Sequence, residues 1–284
     1  TTVSASGVDV TLNSAANNFQ GKVAIDGVNV TVVDADNIML AASTATGNYT
    51  LTAGGLVVDD NSGALAVTGT TTINAGGNVV LDIATNNFQG AVAIDGVNVT
   101  VVNAGAIELG TSTVTGTYAV TATAGGDITD SGVLTITGTA TFTAANGQSI
   151  YLNSANTFSS TVAFSSGGTL ANVTISDSND FDIIALTLSG NLVVTSTGGS
   201  ITDSGALAIT GTSSFTTSTS NEDITLDITT HAFTGAVTLS TTGSSGNATV
   251  DGGTTVLNIG ASSVGGDLTL NSGHASGITD SGTV

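Results

Sequence analysis

The chain repeats itself, and that repetition constrains its fold more than any other feature. Residues 17–35, NNFQGKVAIDGVNVTVVDA, return 69 residues later as NNFQGAVAIDGVNVTVVNA with two substitutions. A second phrase, ITDSGVLTITGTATF (128–142), returns as ITDSGALAITGTSSF (201–215), and its opening closes the chain as ITDSGTV (278–284). The phenylalanine of the first phrase recurs as Phe19, Phe88, Phe158 and Phe233, and the Ser-Gly of the second at Ser62, Ser131, Ser204 and Ser281. Four super-repeats of about 70 residues therefore fill the chain, near 1–70, 71–140, 141–213 and 214–284. A fixed period of this kind means that one supersecondary unit buries its apolar face against copies of itself.

Within each copy the pattern is that of strands. In GVNVTVVNAGAIELGTSTVTGTYAVTATAGG (96–126), apolar and polar residues alternate, and Gly105, Gly110, Gly116 and Gly125 break the run. No stretch carries a helical stripe of useful length. Tandem β-sandwiches would want linkers and large core aromatics, whereas the chain has no Pro, no Trp and 4% aromatics. The expected fold is all-β: a parallel β-helix, or β-solenoid, running as one continuous domain over 1–284 with about three coils per super-repeat. At about 4.8 Å per coil, some twelve coils make a rod roughly 55–60 Å long. The four recurring phenylalanines are its expected core aromatics.

The phase of the ends suggests a piece of a longer array. Val284 corresponds to Leu65, Leu134 and Leu207, while Val3 corresponds to Ile73, Phe142 and Phe215. Joining the two ends would need about five residues like AVTGT (66–70). The expectation is a segment that continues into further repeats, or a protomer that associates end to end with the next, since an uncapped coil leaves backbone groups unpaired.

Composition removes several functions. Net charge is −20, with 21 acidic residues against Lys22 as the one Lys or Arg, so nucleic acid and anionic membrane surfaces are poor partners. No apolar run approaches the roughly 20 residues of a membrane-spanning helix, so no membrane insertion is expected, and the absence of Cys removes disulfides and thiolate metal sites.

The copies also act as controls on candidate chemistry. Lys22 stands where Ala91 stands in the near-identical copy. His231 occupies the place of Asn17, Asn86 and Asn156, and His274 lies in a slightly lengthened loop, NSGHASG. No Ser lies in a nucleophile elbow, and no Arg is present to stabilise charge on a polysaccharide substrate. No catalytic or cofactor-binding residue is expected, and the chain is read as a non-enzyme.

Asp130, Asp203 and Asp280, with Asn61 in the first copy, fit a turn in which Asx accepts backbone N–H groups and Gly supplies positive φ. Asn13, Asp82, Asn153 and Asp227 keep an Asx ahead of each Phe without keeping its charge, which points to turn or ladder hydrogen bonding. The densest carboxylate cluster, Asp177, Asp180 and Asp182, offers hard oxygen ligands to Ca²⁺ but lacks the EF-hand order. Thr-x-Thr pairs (Thr50/Thr52, Thr121/Thr123, Thr135/Thr137, Thr139/Thr141) show no even spacing, which argues against an ice-binding array. Five Asn-x-Thr sequons (Asn29, Asn48, Asn98, Asn172, Asn247) are expected by chance in a chain rich in Asn and Thr.

The phrases AGGDITDSGVLTITGTATF, NNFQGAVAIDGVNVTVV and AIELGTSTVTGTYAVTATAGG resemble the repeat regions of giant bacterial surface exoproteins of the filamentous haemagglutinin type. That resemblance implies a right-handed β-helix exported to the bacterial cell surface or extracellular matrix, where it serves adhesion or aggregation. The function expected is therefore a structural and adhesive repeat segment, a stiff rod or fibre with surface glycans among its partners. The alternatives are a carbohydrate- or ice-binding solenoid module and, behind these, a β-helical polysaccharide-active enzyme.

Overall fold

The computed structural model describes residues 1–61 and 63–284 and forms two compact units, 1–145 and 146–284. Among the described residues every regular element is a β-strand. Both units are parallel β-solenoids, together about 13 turns.

In the first unit, Ala24–Gly27, Val30–Asp34 and Ile38–Leu40 make the three faces of one turn, and Ser43–Ala45, Tyr49–Ala53 and Val57–Asp59 lie on them in parallel register. Thr31 opposes Thr50 and Thr50 opposes Thr72, so one turn takes 19 residues and the next takes 22. Alternation in the sequence becomes alternation in burial: Val30 and Val32 point inward with 1% and 0% exposure, while Thr31 and Val33 are half-exposed. Burying a Val or Ile side chain contributes about 1.5–3 kcal/mol, and nearly every strand supplies one or two. Aromatics fill the wider places, as where the buried Tyr118 and Phe142 rings meet edge-on at 6.0 Å.

The super-repeat is not a whole number of turns. Ten strands run from Ala24–Gly27 through Asn87–Phe88 before the equivalent strand Val92–Asp95 begins. With three strands to a turn, each copy advances by three turns and one further face. Accordingly Thr2–Ser4 pairs with Ala24–Gly27 on one face, whereas their equivalents Thr71–Ala75 and Val92–Asp95 pair on the next. The expected three coils per copy thus become three and a third, and equivalent residues of neighbouring copies face different directions.

The second unit has the same construction. Val173–Asp177, Leu192–Ser196, Ser213–Ser220 and Val237–Thr242 stack on one face. Phe181–Ile183, Ile201–Asp203, Ile224–Leu226, Ala248–Asp251 and Leu268–Asn271 stack on another. Leu186–Leu188, Leu207–Ile209 and Ala232–Phe233 form the third.

Asx ladders hold the corners. Asn29 Oδ1 accepts the N–H of Asn48 (3.0 Å), and Asn48 Oδ1 accepts that of Thr70 (2.9 Å). Asn172 Oδ1 likewise takes Asn191 N–H, and Asn191 Oδ1 takes Thr212 N–H, both at 2.8 Å. The residue before each acceptor's partner is glycine, because a Cβ at Gly47, Gly69, Gly190 or Gly211 would run into the ladder oxygen from the turn below. All five sequon asparagines sit at such corners: Asn98 Oδ1 takes Thr117 N–H (2.9 Å) and Asn247 Oδ1 takes Asp267 N–H (2.8 Å). The solenoid thus explains the sequons directly, as a corner Asn, an inward residue and an outward Thr.

Candidate functional site

The recurring Phe lies in a loop (Phe19), in a two-residue strand (Phe88, Phe233) or at the end of the longer strand Ile150–Phe158, and in the first three copies its backbone is clamped from the following turn. Phe19 N–H is held by Asp34 Oδ2 (3.2 Å), Phe88 N–H by Asn103 Oδ1 (2.8 Å) and Phe158 N–H by Asp177 Oδ1 (3.0 Å). Asp34, Asn103 and Asp177 are all buried. Phe88, Phe158 and Phe233 are core residues at 1–3% exposure. Phe19 departs from the core-aromatic expectation: it is half-buried, in an unpaired stretch between Val10–Leu12 and Ala24–Gly27, whereas Phe88 sits in a strand on Val67.

The turn phrase resolves differently from its sequence register. Asp130, Asp203 and Asp280 end their strands opposite Leu109, Ile183 and Ile259, and the residue so placed in the first copy is Asp59, opposite Leu40. Asn61, two residues on, is exposed at φ 57° in a longer corner. The insertion explains the slip, since Leu65 follows Asp59 by six residues while Leu207 follows Asp203 by four. Ser62 lies outside the described residues. Burial raises the Asp59 pKa above the ordinary carboxylate range, opposed by hydrogen bonds from Ile83 and Asn86.

Behind the strand-end carboxylate stands the residue two before the Phe. Asn86 Oδ1 accepts Leu65 N–H (2.8 Å), and its amide lies 3.4 Å from Asp59 Oδ2. His231 takes the same place: Nδ1 accepts Leu207 N–H (2.9 Å), and Nε2 lies 2.9 Å from Asp203 Oδ2, both side chains being buried. That second contact is poorly aligned for a hydrogen bond, yet it leaves neither ring nitrogen facing solvent. An imidazole whose Nδ1 accepts a backbone N–H is neutral, and His231 substitutes structurally for asparagine. Asn13, Asp82 and Asp227, expected as turn or ladder residues, are exposed just past the ends of their strands, and Asn153, expected likewise, is exposed within Ile150–Phe158; the buried place behind the strand-end carboxylate is held by Asn86 and, in its equivalent, by His231. His274 Nδ1 accepts Ser276 N–H (3.0 Å) within its own loop.

The calcium candidates are not gathered into a ligand set. Asp177 points inward and takes the N–H groups of Phe158 and Ser178, Asp180 takes Ser200 N–H (2.8 Å), and Asp182 faces the Thr202 and Ser204 hydroxyls. Among the described residues no three His, Cys, Asp or Glu side chains come close enough to hold a metal. Asp177 Oδ1 and Asp180 Oδ1 are thus taken by backbone N–H groups and Asp182 by side-chain hydroxyls, while among the described residues the buried Asp177 Oδ2 has no hydrogen-bond partner. Burial pushes the Asp177 pKa up to about 6 against those hydrogen bonds. Lys22 Nζ lies 2.8 Å from Asp60 Oδ2, so the chain's one lysine pairs with the acid that the longer corner adds.

One surface breaks the repeat pattern. Met39 (40% exposed), Leu56 and Val58 point outward on one face of the first unit. The second copy carries Glu108, Asp127 and Thr129 there, and the third carries Asp182, Ser200 and Thr202. They floor a groove of about 440 Å³ with Phe19, and Asn18, Gln20, Asp36 and Asn37 also line it. Its polar side is preorganised: Asn18 donates to Asp36 Oδ2 (2.7 Å) and Gln20 donates to Asn18 Oδ1. The equivalent hollow in the second unit, about 190 Å³ beside Phe158, has Asp182 where this one has Met39. No sequence signal short of the turn register could bring residues 18–20, 36–39 and 56–58 together.

The family model described as repeats of unknown function (DUF5649) matches residues 1–26, 27–95, 96–165 and 170–240. No curated protein and no solved structure matches the chain.

Proposed function

We propose that this chain, which belongs to the DUF5649 family of repeats of unknown function, is a structural and adhesive repeat segment of a secreted bacterial cell-surface protein. It extends the solenoid as a stiff rod or end-to-end extracellular fibre, in adhesion, aggregation or a biofilm matrix, as its resemblance to filamentous haemagglutinin-type repeats implies. One observation carries the reading: the positions kept from copy to copy are inward aliphatics, which build the stacked core, and corner Asx residues with the glycines above them, which serve the backbone ladder. Cumulative ladder hydrogen bonds and a stacked core make such a wall stiff. The same facts favour a non-enzyme without a resident cofactor, since each buried His or Asp described above is engaged by a neighbouring turn.

Electron microscopy of the purified chain tests this. Rods with an axial repeat of about 4.8 Å, joining tip to tip at high concentration, are expected; compact single particles at all concentrations would overturn the fibre. A second reading, a carbohydrate- or ice-binding module, draws support from Thr11, Thr31, Thr50 and Thr72, which stack in register on successive turns. Uneven spacing in sequence hid that column. An ice-recrystallisation assay separates the ice-binding form from the glycan-binding one.

A further inference from the structure

We infer that the groove beside Met39 binds a neutral pyranose of a glycan chain, the sugar's C–H face lying on the apolar floor and its hydroxyl edge meeting Asn18, Gln20 and Asp36. This deepens the adhesive reading, on which it rests, by assigning it a ligand class and a site.

The departure from the repeat is the first support. Met39, Leu56 and Val58 come from two different turns, yet all three are apolar where the second and third copies hold a polar or charged residue. Outward apolar side chains gathered at one place, beside a half-buried aromatic, leave a patch that water covers poorly and a ligand covers well. The groove's volume, about 440 Å³, falls within the roughly 300–1,000 Å³ typical of small-molecule sites.

The rim decides the chemistry. An amide–amide–carboxylate chain of Gln20, Asn18 and Asp36 presents donors and acceptors on one side only. A lipid tail or wholly apolar peptide would cover those groups without pairing them, at a cost of about 1–3 kcal/mol for each group left unsatisfied. An anionic ligand meets Asp36 and a chain of net charge −20, and Lys22 is already paired with Asp60. A pyranose presents an apolar face and a hydroxyl edge without charge, which matches both sides of the groove.

Calorimetric titration of the whole chain with maltotetraose and cellotetraose, beside an anionic oligogalacturonate, is the test. At least one neutral tetrasaccharide should bind, and Met39→Glu, which installs the residue of the second copy and so leaves the fold intact, should weaken it about tenfold or more, about 1.4 kcal/mol. Gln20→Ala should weaken it severalfold with unchanged thermal unfolding. Absence of neutral-sugar binding at millimolar concentration, tighter binding of the anionic sugar, or affinity indifferent to Met39→Glu overturns the proposal. A concentration-dependent dimer, or association with lipid vesicles, that Met39→Glu abolishes would also overturn it and assign the patch to that partner. Rods that bind no sugar leave the structural reading standing and remove this site alone.

Discussion

Two columns of outward side chains, two super-repeats apart and equivalent strand for strand, present opposite surfaces. In the first unit the column runs Met39, Val58, Val80, Thr100 and Ala119. In the second it runs Asp182, Thr202, Thr225, Thr249 and Thr269. Their inward neighbours hardly differ: Ile38, Val57 and Val79 in one, Phe181, Ile201 and Ile224 in the other, all buried. The solenoid wall is thus specified from within and at its corners, and its outer face can change character without disturbing either.

The sharpest way to break that comparison is from the inside. Phe233 is buried at 1% and meets Phe215 edge-on at 6.4 Å, so Phe233→Ala should destabilise by about 3–5 kcal/mol. Phe19→Ala, at the same repeat position but half-buried, should cost less than half as much. Urea unfolding of both variants measures the gap; equal losses would mean that Phe19 packs as its copies do.

Corners come next. Gly190→Ala sets a Cβ against Asn172 Oδ1 and the Ala171 carbonyl, an overpacking expected to cost about 1–3 kcal/mol. Removing the side chain in Asn172→Ala loses the bond to Asn191 N–H but should recover part of the clash, so the double variant is expected to be less unstable than the sum. Strict additivity in thermal unfolding would show that the ladder oxygen is not what selects glycine.

His231 tests substitution within a fixed role. His231→Ala strands the buried Leu207 N–H, at about 1–3 kcal/mol for the unsatisfied group. His231→Asn restores the residue that serves Leu65 through Asn86 and should cost under about 1 kcal/mol. If both lose the same stability, the imidazole does something that asparagine cannot.

Asp177 tests the clamp by pH. Its folded pKa of about 6 lies above the unfolded value near 3.9, so the folded state binds more protons and stability rises as pH falls from 7 through about 6 toward 4. Asp177→Asn, which adopts the residue at Asn103, keeps an oxygen for Phe158 N–H and removes the charge. It should be the more stable form at pH 7, with its advantage shrinking as the pH falls through 6; a constant difference would place the burial cost elsewhere.

How far these contrasts could be read beforehand depends on how local their causes are. Alternation within a strand and glycine at its ends are local, so the strands, their parallel stacking and the four copies were legible. Asp59 was not, because two inserted residues moved the ITDSG register and only pairing with Leu40 restores it. The third of a turn per copy was hidden for the same reason: nothing in a 69-residue period states how many strands close a turn. Asp177, Asp180 and Asp182 read as one cluster in sequence, yet alternation along the wall sends the first inward and the third outward. The groove was the least legible, since its floor and rim join three segments that only the 19-residue turn brings together.

The smallest expected effect is the most direct measure of outer-face freedom. Exchanging column residues, Met39→Thr in the first unit and Thr202→Val in the second, alters only half-exposed or exposed side chains whose strand partners, Val58 and Asp182, also face outward. Each should move stability by no more than about 0.5 kcal/mol, since Thr202→Val gives up only the long, exposed contact to Asp182 (3.4 Å) and keeps a β-branched residue in the strand. Hydrogen exchange of the flanking amides, Leu40 and Asp203, should be unchanged. A loss above about 1 kcal/mol at Met39 alone would mean that the apolar face of the first unit contributes to folding, and would remove the reason for treating it as a surface kept for a ligand.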